Sequence, residues 1–175
     1  KNIKTVVVPE TGHGYQVLRW LAANAVGEPL PFEVLSIIEF IQQAQADGRI
    51  ALNKQSNGTS ITYLDPCRLS RKGGLIDEPR DILKSMGFDL RETEPTGREN
   101  YCCGGGCGEY VLSTGSELRH KVFNLKKEQF IETGANEVVT ACASCRFNLL
   151  IGGEKAGWHT PVISLAETVA ANLAE

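Results

Sequence analysis

Apolar and polar positions change over in short blocks along this chain, and the blocks predict strands and helices in turn. Thr5-Val6-Val7-Val8 is an apolar run closed by Pro9 and predicts a buried strand. Between Tyr15 and Asn24, Val17, Leu18, Leu21 and Ala22 recur at helical spacing, and Trp20 falls among the core positions. Phe32 to Ala46 predicts a second helix, with Leu35, Ile38, Phe40 and Ile41 on or near one face and Gly48 as its stop. Gln55-Ser56-Asn57-Gly58 is a loop. Ser60 to Leu64 predicts a strand ended by Asp65-Pro66-Cys67. Pro79 suits the first turn of a helix reaching about Ser85, and Gly87 closes it. Phe88-Asp89-Leu90 is a short strand, and Glu94 to Gly108 is loop. Ser116 to Thr133 is a long amphipathic helix ended by Gly134. Glu137 to Thr140 is a strand, Ala143 to Ile151 a helix, and Pro161-Val162-Ile163 a last strand. Ser164 caps a terminal helix.

Such alternation predicts an α/β fold: a mostly parallel sheet with helices on both faces. Ligands of these sheets sit at the carboxyl ends of strands. Cys67 lies just past one predicted strand and Cys142 just past another, so residues distant in sequence are expected at one edge.

Composition narrows the function. With 175 residues, 42% hydrophobic and 22% charged, the chain can bury a core without covalent staples. A formal net charge of −3 and no long basic run argue against nucleic acid as a partner. No apolar run approaches the roughly 18 residues of a membrane span, and no signal-peptide pattern opens the chain. With no initiator Met and a strand almost at once, it reads as a C-terminal fragment of a longer protein, or a processed product.

The six cysteines change the picture. They cluster at 67, at 102, 103 and 107, and at 142 and 145, which points to metal or redox chemistry in a reducing, cytoplasmic compartment. Thiolates are natural ligands of soft iron–sulfur centres. Cys142-Ala143-Ser144-Cys145 at a strand-to-helix turn aims two sulfurs at one centre, and a helix N-terminus favours thiolate. Adjacent Cys102 and Cys103 suit two corners of a cluster better than one tetrahedral ion. Gly104-Gly105-Gly106 permit close approach and offer N–H groups to sulfur. Arg68, Arg71, Lys72 and Arg98 are near a cysteine in sequence, either offsetting negative charge, docking an anionic substrate or solvated at the surface.

Cys67, Cys102-Cys103-Gly104 and Cys142-x-x-Cys145 together resemble the CCG domain, the cysteine-rich domain of the heterodisulfide reductase B subunit and its relatives. Asp65-Pro66-Cys67-Arg68-Leu69-Ser70-Arg71 is similar to the turn around that family's first cysteine. Gly12-His13-x-Tyr15, Leu18-Arg19-Trp20 and the stretch from Gly27 to Leu35 resemble the K subunit of the membrane complex associated with dissimilatory sulfite reductase, and related iron–sulfur subunits. The resemblance implies a non-cubane [4Fe–4S] cluster held by Cys67, Cys102, Cys103, Cys142 and Cys145. It implies an oxidoreductase acting on sulfur groups within a complex, which takes electrons from other redox subunits. The substrate would be a disulfide-containing small molecule or small carrier protein. Residues 59–175 would form the cluster-binding domain and 1–58 the remainder of an N-terminal CCG-like lobe, with membrane association through partner subunits. Relatives carry Cys where this chain has Thr11. Cys107 stands at an expected Gly, as an extra ligand, a resolving thiol or a small loop residue. The upstream ferredoxin-type cysteine motifs of relatives have no counterpart here.

Two rival readings use the same cysteines. Zinc takes four ligands, usually from two C-x-x-C pairs, and only one such pair is present. A metal-free thiol–disulfide relay is the other. His13, in a glycine-flanked turn at the expected edge, is the candidate proton donor to a leaving thiolate, against a structural role. His120 and His159 join no constellation.

Overall fold

The computed structural model describes residues 2–54, 58–106 and 112–174. Two parallel sheets organise it. The first pairs β1 (Thr5–Val8) with β2 (Glu33–Ser36), in register from Thr5 opposite Glu33 to Val8 opposite Ser36. The second has the order β4-β3-β5-β6, where β3 is Ser60–Leu64, β4 Asp89–Leu90, β5 Glu137–Thr140 and β6 Val162–Ser164. All of its pairings are parallel.

Strand alternation divides the interior into two cores. Ile61 and Tyr63 of β3, with Val139 and Ala141, join the first core, together with Tyr15, Ile38, Ile41, Ile82 and Leu165. Leu64, Val138 and Val162 face the other way and pack with Phe123, Phe130 and Leu149. A period of two sends neighbouring side chains to opposite faces, so both faces of the sheet are covered. Val8 and Val34 of the first sheet belong to the same core as Ile61 and Val139. The fold is α/β with helices on both faces.

The helices are α1 (Gly12–Gln16), which continues through a π-helical turn (Val17–Leu21) into α2 (Ala22–Val26), then α3 (Ile37–Ala46), α4 (Asp77–Ser85), α5 (Ser116–Thr133), α6 (Ala143–Ala156) and α7 (Leu165–Ala171). α5 ends at Gly134, which takes the left-handed φ of 61°. Ser164 accepts the Glu167 N–H at 3.1 Å and caps α7. Among the described residues no helix is long and apolar enough to cross a membrane.

Three expectations are corrected. The helix expected over Phe32 to Ala46 is a strand followed by a helix. Val34 and Leu35 pair with β1, and Ser36 and Glu39 form a reciprocal capping box, Ser36 N to Glu39 Oε2 at 2.7 Å and Glu39 N to Ser36 Oγ at 3.1 Å. Trp20, expected in the core, is 40% exposed and meets Tyr15 edge-on, with ring centroids 5.3 Å apart. The helix starts at Gly12 rather than Tyr15, and Tyr15 is its buried aromatic. Within the wider π-helical turn, Val17 and Leu21 are turned outward.

Candidate metal centre

Adjacent strands create the site. β3 and β5 pair with Leu64 opposite Thr140, so the segments leaving them emerge side by side, one strand spacing of about 4.8 Å apart. Cys67 follows β3 by three residues and Cys142 follows β5 by two. The turn at Cys67 is closed by the N–H groups of Leu69 and Ser70 on the Pro66 carbonyl, at 2.8 and 2.9 Å.

Asp65 anchors that turn from beneath. Its carboxylate is buried and accepts from Arg80 Nη1 and Nη2 at 2.9 and 2.8 Å and from the Gly97 N–H at 2.9 Å. Arg80 also reaches Glu92 at 2.7 and 3.0 Å. Burial disfavours the guanidinium charge, but the Asp65 and Glu92 carboxylates outweigh it and hold Arg80 further into the charged range. The Gly97 bond carries this anchor into the segment before Cys102. Arg71 stitches the same two segments together, donating from Nη1 to the carbonyls of Asn100 at 2.6 Å and Arg98 at 3.1 Å.

The paired cysteines sit on a loop that curls around sulfur. Gly104 has φ 79°, which disfavours any side chain. It donates its N–H to Cys102 Sγ at 3.3 Å, and Gly105 donates to Cys103 Sγ at 3.4 Å. A Cβ at Gly104 would lie 3.0 Å from Val122 Cγ1 of α5. Asn148 of α6 donates to the Cys103 carbonyl at 2.5 Å. Cys103 Sγ lies 3.0 Å from Cys145 Sγ.

Cys142 is the N-cap of α6, with extended φ and ψ of −146° and 114°, and Cys145 lies one turn on. The segment that follows β1 reaches in here. The Ala143 N–H donates to the Glu10 carbonyl at 2.8 Å, and the Ala166 N–H to Glu10 Oε1 at 3.0 Å. The start of α1 is thereby set against Cys142. A Cβ at Gly12 would lie 2.7 Å from Arg68 Cβ, so only glycine fits between α1 and the Cys67 turn.

The five thiols form one series of contacts, Cys67 to Cys102 to Cys103 to Cys145 to Cys142. Cys102 is pushed well below the usual thiol range by hydrogen bonds from Cys103 and Cys67, with help from the Gly104 N–H and the Arg71 charge. Cys142 is lowered to about 6 by the Cys145 thiol and by the N–H groups of Gly12, Cys145 and Ser144, against the cost of burial. The thiols between and beside these two move the other way. Cys67 is raised by its bond to Cys102 and by burial. Cys103 is pushed up to about 12, chiefly by Cys102. Cys145 rises well above its usual range through Cys103, Cys142 and burial. Two lowered thiols beside three raised ones form a sulfur-rich array whose donors suit a soft metal.

A largely apolar cavity of about 250 Å³ is lined by all five cysteines. His13, half-buried on α1, stands at its wall, and its Cε1 and Nε2 are the atoms nearest Gly106. Arg68 and Arg119 also line it, and Arg68 Nη1 donates to Gln16 Oε1 at 2.6 Å. Among the described residues no three His, Cys, Asp or Glu side chains stand together as a ready site for a metal ion. The sulfurs are strung along a wall instead, a donor set that suits a polynuclear iron–sulfur centre better than one tetrahedral ion.

The structure thus brings together all five cysteines singled out in the sequence and puts His13 beside them. Cys107 lies outside the described residues. Thr11 caps α1, its Oγ1 accepting the Gly14 N–H at 3.3 Å. His120 and His159 are exposed, away from the cavity. Sequence reasoning did not single out Gly12 or Asn148 for the site. Asn148 was findable, since it lies one helical turn beyond Cys145.

Known proteins are similar to this chain in sequence. A probable membrane-anchored ferredoxin of Chromohalobacter salexigens is 32% identical over 164 residues, covering 92% of this chain and 24% of that protein. An EtfAB:quinone oxidoreductase of Syntrophomonas wolfei is 29% identical over 177 residues, 96% of this chain and 24% of its own. The D subunit of the dihydromethanophenazine:CoB–CoM heterodisulfide reductase of Methanosarcina acetivorans is 33% identical over 128 residues, 73% of this chain and 31% of its own. The chain therefore spans about a quarter to a third of the length of these relatives. A family model for the cysteine-rich domain matches residues 61–150, and the chain belongs to that CCG family.

Proposed function

We propose that this chain is the cluster-bearing domain of a heterodisulfide-reductase-type redox protein, with Cys67, Cys102, Cys103, Cys142 and Cys145 holding one non-cubane [4Fe–4S] cluster. The observation that carries the reading is the unbroken series of thiol contacts, lining one apolar cavity at two neighbouring strand ends. Residues 59–175 supply every ligand, and the lobe of residues 1–58 contributes Gly12 and His13. When bound, such a cluster supplies one-electron steps towards a disulfide or related sulfur substrate, a small molecule or a small carrier protein.

The chain's own residues prepare the site. Cys103, Cys142 and Cys145 are buried, so charge on their sulfurs is weakly screened, whereas Cys102 is exposed. The N–H groups of Gly104 and Gly105 stabilise charge on Cys102 and Cys103. Arg71 fixes the loop and holds its own charge near Cys67 and Cys102. His13 is the group we assign to hold a proton, at Nε2, for a leaving thiolate. Electrons arrive from partner redox subunits.

Anaerobic iron, zinc and labile-sulfide analysis with visible and EPR spectra tests the reading. About four irons with labile sulfide are expected. Cys103→Ala should lose iron and disulfide-reducing activity while remaining folded. One zinc in a colourless protein, or unchanged iron and turnover in that variant, would overturn the assignment.

A further inference from the structure

We propose that Lys126 is a positioning residue for this site, a buried ammonium behind the cavity wall that raises the reduction potential of the cluster held by the cysteines. The inference rests on the cluster reading above and concerns a residue outside the ligand set.

α5 is oriented against hydrophobic economy at this point. Leu125 is 52% exposed while its neighbour Lys126 is 0% exposed. Burying an ammonium is costly unless its charge is answered, and the exchange of these two residues would bury more apolar surface. Close at hand, Lys126 has a neutral environment: Nζ donates to Gln129 Oε1 at 2.8 Å and lies 5.1 Å from the Phe130 ring centroid. Gln129 is itself held by the Glu94 carbonyl at 2.6 Å. Among the described residues no carboxylate forms an ion pair with Lys126.

The negative groups within electrostatic reach are Asp65 and then the sulfurs of Cys103, Cys145 and Cys102. Asp65 is already bound by Arg80 and the Gly97 N–H. The sulfurs, which carry charge once the cysteines act as ligands, are what is left for Lys126 to answer. Its location agrees. Val122, one turn earlier on the same face of α5, lines the cavity and abuts Gly104. Phe123 and Phe130, which flank Lys126 on the helix, pack in one cluster with Cys103, Cys142 and Cys145. Burial lowers the ammonium to about 8, with Asp65 and the three sulfurs opposing, so it stays protonated at neutral pH. Arg80, the other buried cation described here, is spent on two carboxylates.

Reduction adds negative charge to a cluster, and a nearby buried cation favours the reduced form. Lys126→Met keeps the length of the side chain and removes its charge. Replacing a lone buried charge by an apolar chain of similar volume is tolerated by the fold, and Lys126→Gln replaces it in the same experiment should the Met protein not fold. The full chain is reconstituted anaerobically, its iron and labile sulfide are counted, and midpoint potentials are read by EPR-monitored redox titration. The charge-free variants are expected to shift to lower potential, and Lys126→Arg to recover most of the shift. A charge-free variant that folds but loses iron, with iron regained in Lys126→Arg, also supports the charge role. Full iron with an unchanged midpoint, or iron lost equally from the Arg variant, overturns it. Wild-type chain without iron would instead sink the cluster reading itself, so the two failures are told apart.

Discussion

The thiols of Cys103 and Cys145 meet at 3.0 Å, one from the glycine loop and one from the first turn of α6. The sequence separates the two residues by forty-one others. Both are free thiols. In metal-free protein an oxidant should react first at the low thiols, Cys102 and Cys142, and exchange along the series of contacts should then settle the disulfide on this pair at 3.0 Å. Treatment with diamide takes two electrons and two protons from the two thiols and joins them as a disulfide. Peptide mapping is expected to find Cys103 bonded to Cys145, with iron loading blocked until dithiothreitol reverses it. Random pairing among the five thiols would contradict the geometry.

Gly12 sets α1 against the Cys67 turn through a space that has no room for a side chain. Gly12→Ala places a Cβ 2.7 Å from Arg68 Cβ, so α1 or the Cys67 turn must shift. The expected cost is about 1–3 kcal/mol in urea unfolding. The displaced N–H also ceases to act on Cys142, so iron should pass to an external chelator faster than from wild type. A variant with normal stability and normal iron release would mean that α1 does not support the centre.

Much of this was legible in residue patterns. β3, β5 and α5 run over the residues that apolar runs and a glycine stop predict, because each element carries its own boundary signal. The position of the cysteines past strand ends foretold their convergence, since parallel strands end at one edge. β2 was hidden because Val34 and Leu35 continue the apolar spacing of α3, although Ser36 and Glu39 spell out a capping box that marks the break. The outward turn of Trp20 was hidden because a π-helical turn shifts the helical period without any glycine or proline to announce it. Lys126 was invisible for a different reason. On a helical wheel it shares an arc with Val122, Phe123 and Phe130, but a lysine reads by residue type as solvated, and only the packing of Val122 and Phe123 against the cysteine loop and α6 shows the arc to be buried.

The Asp65–Arg80 pair is the structural footing of the Cys67 turn. Arg80→Met removes the guanidinium from a carboxylate that is 2% exposed. Leaving one partner of a buried pair uncompensated costs about 3–5 kcal/mol. Urea unfolding should show a loss of that size. Asp65→Asn combined with Arg80→Met should recover part of it, since the stranded charge is gone. If the double variant is less stable than Arg80→Met by the full cost of Asp65→Asn alone, the two residues are not coupled.

Lys126 also imposes a pH dependence on the metal-free protein. Burial lowers its folded-state value to about 8 from an ordinary 10.5. Below pH 8 both folded and unfolded chains carry the proton, and the folded chain bears the whole cost of a buried ammonium. Between pH 8 and 10.5 the unfolded chain still holds a proton that the folded chain has released, so stability rises with pH across this window as far as Lys126 is concerned. The groups that oppose the release are Asp65, from the end of β3, and the sulfurs of Cys103, Cys145 and Cys102. Lys126→Met has no such proton. Under reducing, metal-free conditions it should exceed wild type in stability by up to about 3 kcal/mol near neutral pH. Because the cysteines titrate in both proteins, the difference between the two urea midpoints isolates the lysine. That difference should shrink steadily from pH 8 towards pH 10. A gap that stays constant across the range would place the Lys126 ammonium in water rather than in the core.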